Sequence, residues 1–374
     1  MEGDDPYLPP EIIRNILKRL PVKHLIRLQC VCKDWKYLLK LPSFIEEHLH
    51  HSTHQNPSIL VDGLSPTDIL QLYLLDTEMQ LLEVHSASLI DLLRDATIVD
   101  SSNGLLCVRL SCSSHPILLW NPAMRRVRVV AKATNCFEDK YYKLGFGFCS
   151  IVNDYKILRI SASNAQDWQG EVYSVKTGLW KKVECGTFDG VSIWCSSVVA
   201  NGNIFWFGFK PNGESRVHLL VSYNLALEVF TLIPSPISFL KPIDLLLSRL
   251  TVYENKLAIL SHYTIDFESS VIDLWVMEEE TGTSDERWDW TKKYSISHPC
   301  WLVPRTIWRN NLVCYLDIVA FRRISANDGK NIVLVNLTTN EFKIVVIHKC
   351  GIGYPVLNYV ESLVPVENDY TEEL

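Results

Sequence analysis

Residues Ile117 to Val130 read ILLW-NPAMR-RVRVV: an apolar run, five residues opened by Asn121-Pro122, then a stretch in which Arg126 and Arg128 alternate with Val127 and Val129. β-Branched and aromatic residues on both sides of a turn signal predict two antiparallel strands. Whether this hairpin stands alone or repeats decides the fold. The pattern returns in LQLYLL-DTEM-QLLEV (Leu70 to Val84), EVYSV-KTG-LWKKV (Glu171 to Val183), LVSY-NLALE-VFTLI (Leu220 to Ile233) and NIVLVNL-TTN-EFKIVVI (Asn331 to Ile347). A looser version, VIDLWVM followed by WDWTKKYSI, runs from Val271 to Ile296 around an acidic loop, Glu278 to Arg287.

The turns open near Asp76, Asn121, Lys176, Asn224, Glu278 and Thr338, at intervals of 45, 55, 48, 54 and 60 residues. Between them lies a second set of turn residues, each before an apolar run: Ser-Asn-Gly-Leu-Leu-Cys (102–107), Ala-Asn-Gly-Asn-Ile-Phe-Trp (200–206), Glu-Asn-Lys-Leu (254–257) and Arg-Asn-Asn-Leu (309–312). Two hairpins per period make a four-stranded unit, on the scale of a kelch-type propeller blade. The drift in spacing leaves the blade count open, and a pair of β-sandwiches fits it too.

The first fifty residues follow another period. Ile12, Ile13, Ile16, Leu17 and Leu20 recur at helical spacing after Pro10, which suits a first turn. Pro21 stops that helix and opens the next, with Val22, Leu25, Ile26 and Leu28. A third segment carries Cys32, Trp35, Leu38 and Leu39. Ser43 with Glu46 has the form of a capping box for a last short helix, Phe44 to Leu49. So many large apolar residues in so few turns cannot all be enclosed by the module itself, and this predicts a protein partner. Between Glu11 and Leu41 eight basic residues face two acidic ones, so the segment carries +6 and the rest of the chain −13. Such a patch suits an acidic protein surface; it lacks the arginine–aromatic interleaving of a nucleic-acid surface.

The stretch LPPEIIRNILKRLPVKHLIRLQCVCKDWKYLL, Leu8 to Leu39, resembles an F-box: Leu-Pro, a helix ending in Leu-Pro-Val, then Val-Cys-Lys-x-Trp. The resemblance implies capture of a Skp-family adaptor and, through it, of a cullin and a RING subunit, to ubiquitinate a target protein. It places the adaptor contact on Leu8, Pro9, Ile12, Ile16, Leu20, Pro21, Leu25, Val31, Cys32 and Trp35, with Trp35 as the largest anchor. Residues 1–50 alone are expected to suffice for that capture. Farther on, SNGLLC with LLWNPAMRR, LGFGFCSIVNDYKILRI with EVYSVKTGLWKKV, NGNIFWFG, DLWVM and YVESLV resemble the plant F-box-associated interaction domain, type 1, over roughly Ser101 to Pro365. That resemblance implies a β-rich, propeller-like domain that binds the target. The expected organisation is a multidomain α plus all-β chain: 1–50 the F-box helices, 51–100 a linker and first hairpin, 101–365 the propeller-like domain, and 366–374 an acidic tail.

Other patterns invite chemistry and do not carry it. Cys30-Val31-Cys32 is two ligands short of a zinc site and lacks the two-residue spacer of redox pairs, so both thiols read as small core residues. HLHHSTH, His48 to His54, has four histidines but no carboxylate or cysteine at metal spacing, and it opens into a Ser/Thr/Asn/Pro stretch that reads as a solvated linker. Gly145-Phe-Gly147 lacks the third glycine and the following helix of a dinucleotide fingerprint, and reads as a pair of strand glycines. Cys107, Cys112 and His115 could form a thiol–imidazole pair, yet Cys107 falls in an apolar strand. Of eleven tryptophans, those in strands are expected between blades, while Trp168 and Trp194 lie near turns where a ligand could meet them. No cofactor, metal or catalytic residue is expected. The rivals are an adaptor-binding scaffold without ubiquitination and a small-ligand or enzymatic β domain. The acidic first residues lack the charge and apolar pattern of a secretory leader, and no apolar run approaches eighteen residues. Eleven irregularly spaced cysteines read as free thiols, and the expected location is cytoplasm or nucleus.

Overall fold

The computed structural model describes residues 8–64, 70–86, 96–110, 117–132, 142–162, 168–186, 190–212, 215–237, 248–264, 270–279, 288–298, 301–316, 331–346 and 355–366. Four helices come first: α1 (Pro10–Leu17), α2 (Val22–Leu28), α3 (Lys33–Leu38) and α4 (Pro42–Gln55). Strands follow in groups. The first holds β1 (Ser58–Leu64), β2 (Leu70–Leu75) and β3 (Leu81–Ser86); the second β4 (Ala96–Ser102), β5 (Leu105–Leu110), β6 (Ile117–Asn121) and β7 (Arg126–Val129). The third is β8 (Tyr142–Cys149), β9 (Asp154–Ala162), β10 (Trp168–Ser174) and β11 (Leu179–Val183). Next come β12 (Ser192–Ala200), β13 (Asn203–Asn212), β14 (Ser215–Asn224) and β15 (Phe230–Pro234), then β16 (Arg249–Tyr253), β17 (Lys256–Thr264), β18 (Ser270–Glu279) and β19 (Trp288–His298). The last group is β20 (Leu302–Trp308), β21 (Asn311–Leu316), β22 (Asn331–Asn336) and β23 (Phe342–Val346), with β24 (Val356–Tyr359) after it.

These strands make six four-stranded antiparallel sheets, the blades of a propeller. Five blades use consecutive strands. The first has the order β24-β1-β2-β3, so the final strand is its innermost. β24 pairs with β1 in the register Ser58↔Tyr359 to Val61↔Val356 and closes the ring.

The repeat has a local cause at both hairpins. Inner turns need a left-handed backbone at both central residues, which favours Asn and Gly. Asn103-Gly104 has φ of 51° and 80°, Asn201-Gly202 has 47° and 72°, and Glu254-Asn255 has 49° and 62°. Outer turns are built on a side-chain acceptor: Oδ1 of Asp76, Asn224 and Asn336 each accepts two backbone N–H groups of its own turn. Each of these outer turns leaves through a left-handed residue: Met79, Glu228 and Asn340, with Arg125 and Gly178 doing the same in blades two and three. Adjacent blades bury their faces together. Trp120 packs between blades one and two, Trp206 between three and four, and Trp308 between six and one, as strand tryptophans were expected to.

Three expectations about the helices are corrected. Ser43 and Glu46 form no capping box: Leu41 is the N-cap, Pro42 starts α4 two residues earlier, and Ser43 Oγ accepts from Arg14 Nη2 at 3.1 Å. The helix does not stop at Leu49 but runs through HLHHSTH, because His48 and Ser52 fall on its inner face and are buried. His48 Nε2 lies 3.0 Å from the carbonyl of Leu20; a carbonyl only accepts, so this nitrogen carries the proton. Cys30 and Cys32 are exposed rather than packed. Cys32 is the N-cap of α3, where its Sγ accepts from the Trp35 N–H at 3.4 Å.

Candidate functional site

The helices close around Leu17, Val22, Leu25, Leu39 and Phe44. An opposite set remains in solvent: Leu8 is 51% exposed, Ile12 45%, Ile16 47% and Val31 61%. Ile12 and Ile16, four residues apart in α1, share one stripe, since Cβ atoms at that spacing lie one above another on a helix, and Leu8 precedes that helix. Pro9, Pro21 and Cys32 are exposed as well, and Leu20 and Trp35 are half-buried against the module's core. Leu25 is the exception among the ten expected contact residues. It is wholly buried, so it belongs to the internal packing and not to the surface. Tyr37, 70% exposed, was missed. It sits on α3 opposite the face of Cys32, Trp35 and Leu39, so its signal was an aromatic outside the apolar period. Arg19, Lys23, Arg27, Lys33, Lys36 and Lys40 are exposed on the same module. Exposed apolar residues on a cationic module suit a protein partner with an acidic rim.

Antiparallel blades send their connections alternately to the two ends of the ring. The end reached by the β4–β5 and β6–β7 turns carries connections of two to five residues, apart from 280–287. The helices dock there: Ala123 and Met124, in the β6–β7 turn, pack against their core. The opposite end receives the longest connections, 130–141, 235–248 and 317–330, parts of which lie outside the described residues, as does the acidic loop expected at the β18–β19 turn. The helical module and the long connections therefore lie at opposite ends of the ring.

The ring also encloses a central channel. Five inner strands, β4, β12, β16, β20 and β24, line a cavity of about 550 Å³. β-Bulges between Ile98 and Asp100, Trp194 and Val198, and Pro304 and Thr306 interrupt three of them. Trp194, Arg249, Arg305, Thr251 and Thr306 reach this lining, and the two threonine hydroxyls lie 3.3 Å apart. Of the two tryptophans expected at a ligand surface, Trp194 lines the channel. Trp168 is a structural residue whose Nε1 donates to the Val191 carbonyl at 2.8 Å. Cys107 is fully buried in β5, where burial drives its thiol well up, away from the reactive thiolate. Cys112 and His115 lie outside the described residues. Among the described residues no three His, Cys, Asp or Glu side chains gather as a metal site.

Two buried groups, Asp100 on the channel-lining β4 and His262 one strand farther out in its blade, titrate in opposite senses. Burial holds His262, on β17, down at about 4, with the Arg249 charge pushing the same way. Burial raises Asp100 to about 7, against the Ser101 N–H that bonds its carboxylate at 2.7 Å. The unfolded histidine takes its proton first on acidification, so its contribution to stability is lost as pH falls from about 6.5 to about 4, roughly 3 kcal/mol in full. The folded aspartate takes its proton first, so its contribution grows as pH falls from about 7. In the wild type the two offset each other. Asp100→Asn should therefore lose more stability between pH 6.5 and 4.5 than the wild type, and His262→Phe less, in urea titrations. Parallel profiles for all three proteins would contradict this assignment.

With the geometry in hand, a family model of the F-box domain matches residues 6–47, and one of the F-box associated beta propeller domain matches residues 69–366. The chain is 26% identical over 292 residues to a putative F-box/kelch-repeat protein of Arabidopsis thaliana, covering 74% of this chain and 72% of that protein. It is 26% identical over 322 residues to F-box protein CPR1 of the same plant, with coverage of 78% and 73%. A putative F-box protein, also from Arabidopsis thaliana, aligns at 23% identity over 97% of this chain and 95% of its own length.

Proposed function

On the premise that the chain belongs to the F-box proteins with an F-box associated beta propeller domain, we propose that it is the substrate-recognition subunit of a Skp–cullin–F-box ubiquitin ligase. The observation carrying this reading is the apolar set Leu8, Ile12, Ile16 and Val31, left in solvent by a helical module whose other face is closed around a core. A Skp-family adaptor covers that set, and a cullin with its RING subunit joins through the adaptor. The target protein binds the far end of the ring, where the long connections emerge. Loops positioned by a rigid scaffold are the usual carriers of specificity.

The contribution is positional. Holding a target near a charged ubiquitin-conjugating enzyme raises the effective concentration of the reacting groups, and no side chain of this chain makes or breaks a bond. The reading places the protein in cytoplasm or nucleus, where its exposed thiols Cys30 and Cys32 stay reduced. Purified chain should co-migrate with a Skp-family adaptor, and the complex, supplied with cullin, RING subunit and conjugating enzyme, should transfer ubiquitin to a captured target. A chain that migrates alone with such adaptors present is not this subunit.

A further inference from the structure

The helical module has a wall that its own fifty residues do not supply. Beyond β24 the chain continues as 360–366 across the docking end of the ring. Leu363, 2% exposed, lies in the same cluster as Leu17, Leu25 and Phe44. Val364 packs on the other side with Leu105, Tyr142 and Phe146 of the blades, and Ile45 of α4 touches both clusters. One segment thus joins the two cores.

Its backbone is gripped by a single side chain. Asn121, wholly buried, donates from Nδ2 to the carbonyls of Ser362 at 3.0 Å and Val364 at 2.9 Å, while its Oδ1 accepts from the Met124 N–H at 3.1 Å. Blade one has Asp76 at this turn position, and a carboxylate has no N–H to give. Ser362 Oγ donates to the Asn103 carbonyl at 2.6 Å. Gly104 lies directly beneath: a Cβ there would stand 2.5 Å from Ser362 Oγ and 2.6 Å from the Val360 carbonyl. Gly202 holds the same place in the matching turn of blade four, at φ 72° against 80°, with no atom within 4 Å of its would-be Cβ.

We propose that Val360–Val364 is a strap, held by Asn121, that completes the helical module from the other end of the chain and fixes it on blade two. Capture of the adaptor by the N-terminal helices then requires this C-terminal segment in place, and residues 1–50 alone, expected to suffice, lack the Leu363 side of their core. The packing is independent of any partner; only the consequence for adaptor capture rests on the function proposed above.

Hydrogen exchange of the full chain, without adaptor, tests it. Asn121→Asp keeps the turn acceptor, removes both donors and sets a charge against two carbonyls; amides of residues 10–55 should exchange at least about tenfold faster than in the wild type, since losing charge-free pairing in a buried site opens it. Gly104→Ala should do the same. Gly202→Ala, with like backbone strain and no strap above it, should leave residues 10–55 unchanged. Wild-type exchange in Asn121→Asp, or equal effects of the two glycine variants on residues 10–55, overturns the strap; if Asn121→Asp does not accumulate as folded protein, the glycine pair decides. Adaptor capture measured alongside separates the two ideas: a wild type that binds no adaptor yet shows the strap-dependent exchange refutes the function and upholds the strap.

Discussion

An Ile12→Asp, Ile16→Asp double variant should lose affinity for a Skp-family adaptor by about a hundredfold or more, while its melting temperature stays within about 2 °C of the wild type. Both side chains are near half exposed on one stripe of α1, so in the free protein they make little of the core. Surface changes away from special contacts usually move stability by no more than about 0.5 kcal/mol. In the complex the same positions lie under a protein surface, and two carboxylates placed there lose their water without gaining partners. That costs several kcal/mol on general grounds, of which a hundredfold in affinity is about 2.7 kcal/mol. Leu25→Asp is the contrasting variant. It buries a charge in the module's own core and should lose both folding of the helices and adaptor capture. Calorimetric titration beside thermal melts separates the two kinds of loss. Undiminished affinity in the double variant would remove the stripe as the interface.

Leu25 and Ile16 show where sequence reading stops. In helices of six to eight residues with apolar side chains on two faces, period alone does not say which face is internal. The answer here depends on Leu363, some 340 positions away in the chain, whose side chain marks the inner side. The same distance hid the blade count. Five of the six outer hairpins are legible because strand-forming flanks meet at a turn signal within seventeen residues; the sixth, Val271 to Ile296, is looser. That they close as a ring follows only from β24 pairing with β1, and nothing local in VLNY distinguishes an inner closing strand from any other.

The histidine-rich run failed for a related reason. Polar residues beside Ser, Thr and Asn suggest a linker when no burial is known, but His48 and Ser52 stand four apart on α4 and are both covered. Asn121 was read as a turn residue, which it is; its second role, using the two amide hydrogens its turn does not need, exists only once the strap lies across it. Cys32 was assigned to packing because a small thiol beside Trp35 resembles core composition, whereas a residue before a helix is also a cap position.

The glycine pair in LGFGFC has a physical reason that leads to the second large effect. Trp206 is wholly buried between blades three and four, and its ring lies over Gly145 of β8. Trp206→Ala should lower stability by about 4 kcal/mol, the range for emptying a large aromatic site, and the apparent melting temperature by roughly 10 °C. Trp206→Phe should cost far less, because the smaller ring still fills much of the space and removes an indole N–H that is buried without a partner. Gly145→Ala errs the other way: its Cβ would stand 2.7 Å from Trp206 Cζ2 and 2.6 Å from Ile204 Cγ2. Neither neighbour is a flexible chain end, so the blades must part, at about 2 kcal/mol. Stiffening of the unfolded chain returns less than about 1 kcal/mol. Combining Gly145→Ala with Trp206→Phe takes away one of the two atoms being struck, so the double variant should be more stable than the sum of the singles by about 1 kcal/mol. Chemical denaturation of the four proteins measures that coupling. Strict additivity, or a Trp206→Ala protein within about 1 kcal/mol of the wild type, would mean that these blades do not pack through Gly145 and Trp206.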